Sequence, residues 1–248
     1  MILKHLGHNR RKEHGFTMVE LLVAIAITAV VMAAVYTLYK TQQDSYIAQD
    51  QVVEMQQNVR ASLYQMARDL RMAGFNRLRA PNVGGFLTQL PDDGSGTTTT
   101  NATNIAFTID QNSNGVIDVD DDDEQIAYRL ENATGALQKF RVSDDTWQTV
   151  ADNISALDFV YLDPSGTDIT ANVIASPTTI YASTNLPYID SIRSVELSIV
   201  ARTGRIDKSF GGTPAYFNQQ GTQILAALSD NYRKRLITTT IFCRNLGL

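Results

Sequence analysis

Three patterns of apolar and polar positions follow one another along the chain. Residues 16–39 are apolar almost without interruption and hold a single charge, Glu20. Ile47, Val52, Met55, Val59, Leu63, Met66 and Leu70 then recur at helical spacing, with Gln, Asp and Arg between them. That is the stripe of a helix apolar on one side. No Gly or Pro occurs between Lys40 and Ala73; Gly74 offers a C-terminal cap, and Arg68 and Arg71 complement the helix dipole in the last turns. One long helix is therefore predicted from Phe16 to about residue 73. From Asn76 onward the pattern shortens, and strands are predicted at 105–109, 125–130, 137–142, 154–162, 191–201 and 236–243. Several alternate apolar with polar residues, as Val195, Leu197 and Ile199 do, so one sheet face should be buried.

The turns between these runs carry the residues that turns require: Asp92-Asp93-Gly94-Ser95-Gly96, Asp163-Pro164-Ser165-Gly166 and Gly211-Gly212-Thr213-Pro214. The threonine-rich stretch 97–103 reads as a solvated loop. The expected fold class is α+β: a long N-terminal helix whose amphipathic half lies on an antiparallel β-sheet head. The expected division is 1–15, a leader peptide; 16–39, a helix that crosses a membrane or packs among other helices; 40–75, an amphipathic helix; and 76–248, a β-rich globular head.

As a helix, 16–39 would rise about 36 Å, enough to cross a hydrocarbon core of about 30 Å. The basic cluster beside it, Lys4, Arg10, Arg11 and Lys12, precedes it. That places the first fifteen residues in the cytoplasm and the bulk of the chain on the other side. Hydrophobic residues make up 44% of the 248, enough for one core, and the formal net charge is -5. An acidic chain is a poor general ligand for nucleic acid or anionic lipid. Cys243 is the one cysteine, so no internal disulfide can form. His5, His8 and His14 all lie in the leader. Without it the chain has no histidine, which excludes histidine triads, histidine metal sites and histidine acid–base work. No phosphate-binding loop, nucleophile elbow, HExxH or CxxC occurs, and the chain is not expected to be an enzyme.

An ordinary signal anchor and a cleaved secretory signal, with Val31-Met32-Ala33 as the cleavage site, both meet the same difficulty. A carboxylate inside the apolar span costs of order 2.5–3.5 kcal/mol, and neither reading has a use for it. Gly15-Phe16-Thr17-Met18-Val19-Glu20 resembles the class III signal of type IV prepilins and of type II secretion pseudopilins. The resemblance implies that a membrane prepilin peptidase cuts after Gly15 and methylates the new amine of Phe16. Glu20 is then the fifth residue of the mature chain. Its carboxylate would pair with the N-terminal amine of another subunit during assembly, offsetting the desolvation of both charges.

Residues 66–75, MARDLRMAGF, and 232–245, YRKRLITTTIFCRN, resemble PilW-like minor pilins, and the tail is also similar to J-type pseudopilins. This implies a subunit that packs through its N-terminal helix against other pilins or pseudopilins, on an inner-membrane assembly platform, with its head in the periplasm. Many major pilins have a proline where this chain has Thr37. The roles left open are a minor pilin that initiates or caps a type IV pilus, a secretion pseudopilin, and a tip adhesin or DNA-uptake receptor. Arg68, Arg71, Arg77 and Arg79 could meet phosphate in the last role, although they could equally solvate the helix end or pair with acidic neighbours.

One further stretch has the spacing of a cation loop. Asp110, Asn112 and Asn114 stand at positions 1, 3 and 5, Gly115 at 6, the Val116 carbonyl at 7, Asp118 at 9 and Asp121 at 12. Hard Ca²⁺ takes six to eight oxygens, and this spacing wraps them round one point. Asp121 replaces the usual bidentate Glu; Asp120, Asp122, Asp123 or Glu124 could take its place. The run 118–124 is almost wholly carboxylate and repels itself without a cation.

Overall fold

The structure is a computed structural model that describes residues 15–76, 84–87, 100–115, 117, 124–141, 146–174 and 191–246. The predicted long helix is α1, Met18–Met72, unbroken over 55 residues. Thr37 sits within it, and its hydroxyl donates to the carbonyl of Ala33 at 2.9 Å. Thr28 and Thr41 do the same to Ala24 and Thr37. Each hydroxyl thus finds its partner within the helix, which a polar group in an apolar span requires. Gly74 ends the helix with φ 73°, the left-handed conformation expected of a glycine cap.

By internal contacts the chain divides into one unit ending at Gln49 and a second, Asp50–Leu248. In the first unit every described residue except Ala48 is exposed, and the apolar part of α1 is long enough to cross a membrane. Ile47, assigned above to the buried stripe, is also exposed. The buried stripe starts with Val52, half-buried, and runs through Met55, Val59, Leu63, Met66 and Leu70.

Among its described residues the second unit adds nine strands and one short helix to the end of α1. β1 (Asn104–Thr108), β2 (Gln125–Glu131), β3 (Ala136–Arg141) and β4 (Thr146–Ala151) form an antiparallel sheet in that order. β5 (Ile154–Leu162), β6 (Ser194–Arg202) and β9 (Lys234–Phe242) form a second one. β7 (Tyr216–Phe217) and β8 (Gln223–Leu225) make a small hairpin, and α2 is the turn-and-a-half Thr170–Ile174. All six predicted strands are present, with ends shifted by up to three residues.

Side-chain alternation sorts the sheets. Ile105 and Phe107, Ile126 and Tyr128, and Val195, Leu197 and Ile199 join Met55 to Leu70 of α1 in one core. Ala106, Ala127 and Phe140 point the other way, into a smaller cluster with Leu87 and Trp147. β4, β7 and β8 were not predicted, because their side chains are nearly all exposed or half-buried and show no apolar alternation. The 97–103 stretch is corrected in part: Thr100 is buried and its hydroxyl donates to the Leu87 carbonyl at 2.5 Å. Residues 92–96 lie outside the described residues.

Two stretches singled out in the sequence, far apart along the chain, meet. Asn245 Nδ2 donates to the carbonyl of Arg71 at 3.1 Å, and a Cβ on Gly74 would fall 2.4 Å from Leu246 Cδ2. The tail therefore closes over the helix end, and glycine there serves both the left-handed turn and the close approach.

Candidate functional site

The start of α1 is built by Thr17 and Glu20. The Glu20 amide donates to Thr17 Oγ1 at 3.2 Å, and the Thr17 amide donates to Glu20 Oε2 at 2.9 Å. This reciprocal pair is a capping box, which satisfies amides that the first helical turn leaves without partners. The Thr17 hydroxyl also donates to the same oxygen at 3.0 Å. Glu20 is thus held in place by its own chain, with its carboxylate one turn from Phe16. Cleavage after Gly15 would leave the Thr17 amide intact, so the box would persist in a chain beginning at Phe16. The sequence reading missed Thr17; the Thr-x-x-Glu spacing ahead of an apolar run is the signal that finds it.

The cation loop is described at 110–115, 117 and 124; Val116, Asp118 and Asp121 lie outside the described residues. Asp110 is fully buried, its Oδ2 accepting the Gly115 amide at 3.1 Å. Ser113 and Gly115 have positive φ, 61° and 84°, which curl the chain about Asp110. Asn112 Oδ1 accepts the Asn114 amide at 2.9 Å. Glu124 is also fully buried, and its Oε1 lies 3.5 Å from the Asn112 amide. Two buried carboxylates therefore converge on one loop, and the second is Glu124. Among the described residues no group of three or more His, Cys, Asp or Glu side chains is gathered to hold a metal.

Of the basic cluster, Arg68 pairs with Asp69 at 3.2 Å, while Arg77 and Arg79 lie outside the described residues. Asp69 itself sits on the buried side of α1, not on its polar faces as the stripe implied. It accepts Lys139 Nζ at 2.6 Å and the Tyr128 hydroxyl at 2.7 Å, and both partners are buried. Burial and the Asp69 carboxylate raise the Tyr128 phenol far above its ordinary value. This network ties α1 to β2 and β3. A second polar cluster covers the far side of the β5–β6 sheet, where Asn218 donates to Asp158 at 2.9 Å and Gln220 to Glu196 at 3.1 Å. Burial pushes the Asp158 carboxyl up, against the Asn218 hydrogen bond, and Asp168 and Glu196 add to the rise. Burial likewise pushes the Cys243 thiol up to about 12, which leaves it protonated and inert.

A profile of the prokaryotic N-terminal methylation motif matches residues 10–36, across the Gly15-Phe16 junction and the capping box. The protein is accordingly type IV pilin-like, with a class III prepilin signal ahead of its long helix. The profile of prepilin peptidase-dependent protein B matches residues 48–209, more than half of the chain, and the protein belongs to that family. It is similar in structure to a type IV-like pilin from Thermus thermophilus, with 12% identity and a TM-score of 0.47, over 79% of this chain and 100% of that one. Comparison with curated proteins returns no match.

Proposed function

We propose that the protein is a minor pilin, cut by prepilin peptidase after Gly15, methylated on Phe16 and assembled through α1. The observation that carries this reading is the junction itself. A Gly-Phe bond stands directly ahead of an apolar helix whose first turn holds a capped glutamate. In the mature chain the Phe16 amine is a cation one turn from Glu20. A neighbouring subunit's amine approaching the same carboxylate would bring opposite charges together in a low-dielectric setting, where their attraction is strongest. The anchored state has the apolar stretch 16–39 in the bacterial inner membrane and the head in the periplasm, where it meets other pilins and the assembly platform. A type II secretion pseudopilin shares all of these features; loss of pili or loss of secretion on deletion separates the two.

Mass spectrometry of the protein from membranes tests the reading. The expected first residue is N-methyl-Phe16; an intact leader, or a start near Ala34, overturns it. Glu20→Ala should leave cleavage and insertion intact and impair assembly, since it removes an intramembrane charge together with the amine's partner. Normal piliation and secretion at normal protein level would contradict the role of Glu20.

We further propose that the 110–124 loop holds Ca²⁺. Asp110, Asn112 and Asn114 supply side-chain oxygens, with the Val116 carbonyl, Asp118 and Asp121 at the remaining positions of the spacing. The burial of Glu124 against the Asn112 amide favours Glu124 over Asp121 as the closing carboxylate. Hard oxygen donors and two buried carboxyl groups suit this ion. At a hundredfold excess over Kd, a ligand that binds only the folded state stabilises it by about 2.7 kcal/mol. The full chain in detergent should melt higher in millimolar Ca²⁺ than in chelator, and Mg²⁺ should substitute poorly because it demands tighter octahedral geometry. Asp110→Ala should abolish the shift; equal melting of the parent chain with Ca²⁺ and chelator removes the proposal.

A further inference from the structure

β9 ends the order β5-β6-β9, so among the described residues no strand pairs with its other side. Its hydrogen-bonding phase follows from two bonds. The Cys243 amide donates to the Arg193 carbonyl, and the Thr203 amide donates to the Arg233 carbonyl, both at 2.9 Å. The β6–β9 register runs without a bulge between these points. Bonding alternates along an antiparallel pair, so odd-numbered residues of β9 bond to β6 and even-numbered ones turn their amides and carbonyls outward. The first outward carbonyl, of Lys234, accepts the Tyr216 hydroxyl at 3.0 Å. Beyond it, Leu236, Thr238, Thr240 and Phe242 present a row of outward backbone groups. That stretch carries no charge, no proline and no bulge, which are the usual guards of an exposed edge.

Beside this edge runs a groove of about 450 Å³ between α1 and β9, lined among others by Arg60, Tyr64, Arg71, Arg235, Leu236 and Ile237. The three arginines are exposed, and among the described residues none of them is in an ion pair. The chain as a whole is acidic, so a positive groove is a local exception to its charge. Outward backbone groups call for an extended segment, and the arginines call for carboxylates on it.

We infer that the β9 edge takes up an acidic, extended segment of another protein chain, which adds as a strand beside 236–242 and sets its carboxylates against Arg60, Arg71 and Arg235. Backbone bonds would hold the segment, and the arginines would select its charge. The inference does not depend on which filament the protein joins.

The probe is a labelled eight-residue peptide of alternating Asp and Val, added to the full chain in detergent micelles. Binding is expected in fluorescence anisotropy, weakening about tenfold or more as salt screens the arginines. Amide exchange should slow about tenfold or more at Leu236, Thr238 and Thr240, while Ile237 and Thr239, already bonded to β6, stay unchanged. Arg60→Glu with Arg235→Glu should lose about tenfold or more in affinity at unchanged Tm, because rim charges govern complementarity and not the fold. Thr238→Pro removes one outward amide and should abolish binding while leaving the β6 pairing intact; should it not fold, the arginine pair carries the test. Binding that leaves the even-numbered amides unprotected overturns the inference. So does equal binding of the matching Lys-Val peptide, or tighter binding of oligothymidine, which would make the groove a nucleic-acid surface.

Discussion

The two parts of α1 have the same backbone and opposite dependence on their surroundings. Up to Gln49 the helix buries none of its apolar side chains, and Met18, Val30 and Tyr36 are exposed at 81%, 71% and 68%. From Asp50 the same helix buries Met55, Val59, Met66 and Leu70 in a core shared with both large sheets. The second part draws its stability from its own chain. The first, apolar on all sides, needs lipid or other helices as its solvent. A single helix therefore holds one part that the head's own core stabilises and one part that it does not.

The sharpest way to break the contrast is Asp69→Ala. It strands the buried Lys139 ammonium without its carboxylate, and losing one partner of a buried pair costs about 3–5 kcal/mol. Denaturant unfolding of the head should show that loss. Val30→Ala, in the other part of the helix, should leave head stability unchanged. Equal effects of the two would erase the distinction.

Thr17→Ala acts only at the helix start. It removes half of the capping box, a loss of about 1 kcal/mol for a helix N-cap. Amide exchange should quicken at Val19 and Glu20 and nowhere in the head. The paired Glu20→Gln should keep the reciprocal bond while losing the charge. If Thr17→Ala lowers the melting of the head, the two parts are coupled more tightly than the buried core implies.

The smallest effect is expected at Asp158. Its folded carboxyl holds a proton more tightly than the ordinary value of 3.8, chiefly because it is buried. Folding therefore takes up a proton in that window, and stability falls as pH rises from about 3.8 through the raised folded value. Above it the ionised, buried group is a standing cost. Asp158→Asn keeps an oxygen for Asn218 and should raise Tm slightly at neutral pH, with the gain shrinking as pH drops to 4. A gain that is the same at pH 4 and pH 7 would mean that the proton plays no part.

Much of this molecule is written in local order along the chain. The apolar span, the Gly15-Phe16 junction, the spacing of Glu20 and the stripe from Val52 to Leu70 are periodicities and neighbours. The six predicted strands are of the same kind, as is Thr17, whose capping distance is three residues. Tertiary structure decided the rest. Asp69 finds Lys139 seventy positions away, which no periodicity announces, and looks in sequence like one more polar residue on a helix. β4, β7 and β8 exist because partners supply their bonds, not because their side chains alternate. The sequence left several carboxylates between 120 and 124 open for the end of the cation loop, while the fold sets Glu124, buried, against the Asn112 amide. Which amides of β9 face outward depends on the bonds to β6, and a shift of one residue would reverse it. Local patterns are set by bonded neighbours and the repeat of the backbone. Pairing across the fold is set by where distant segments come to lie, and that is settled only when the whole core closes.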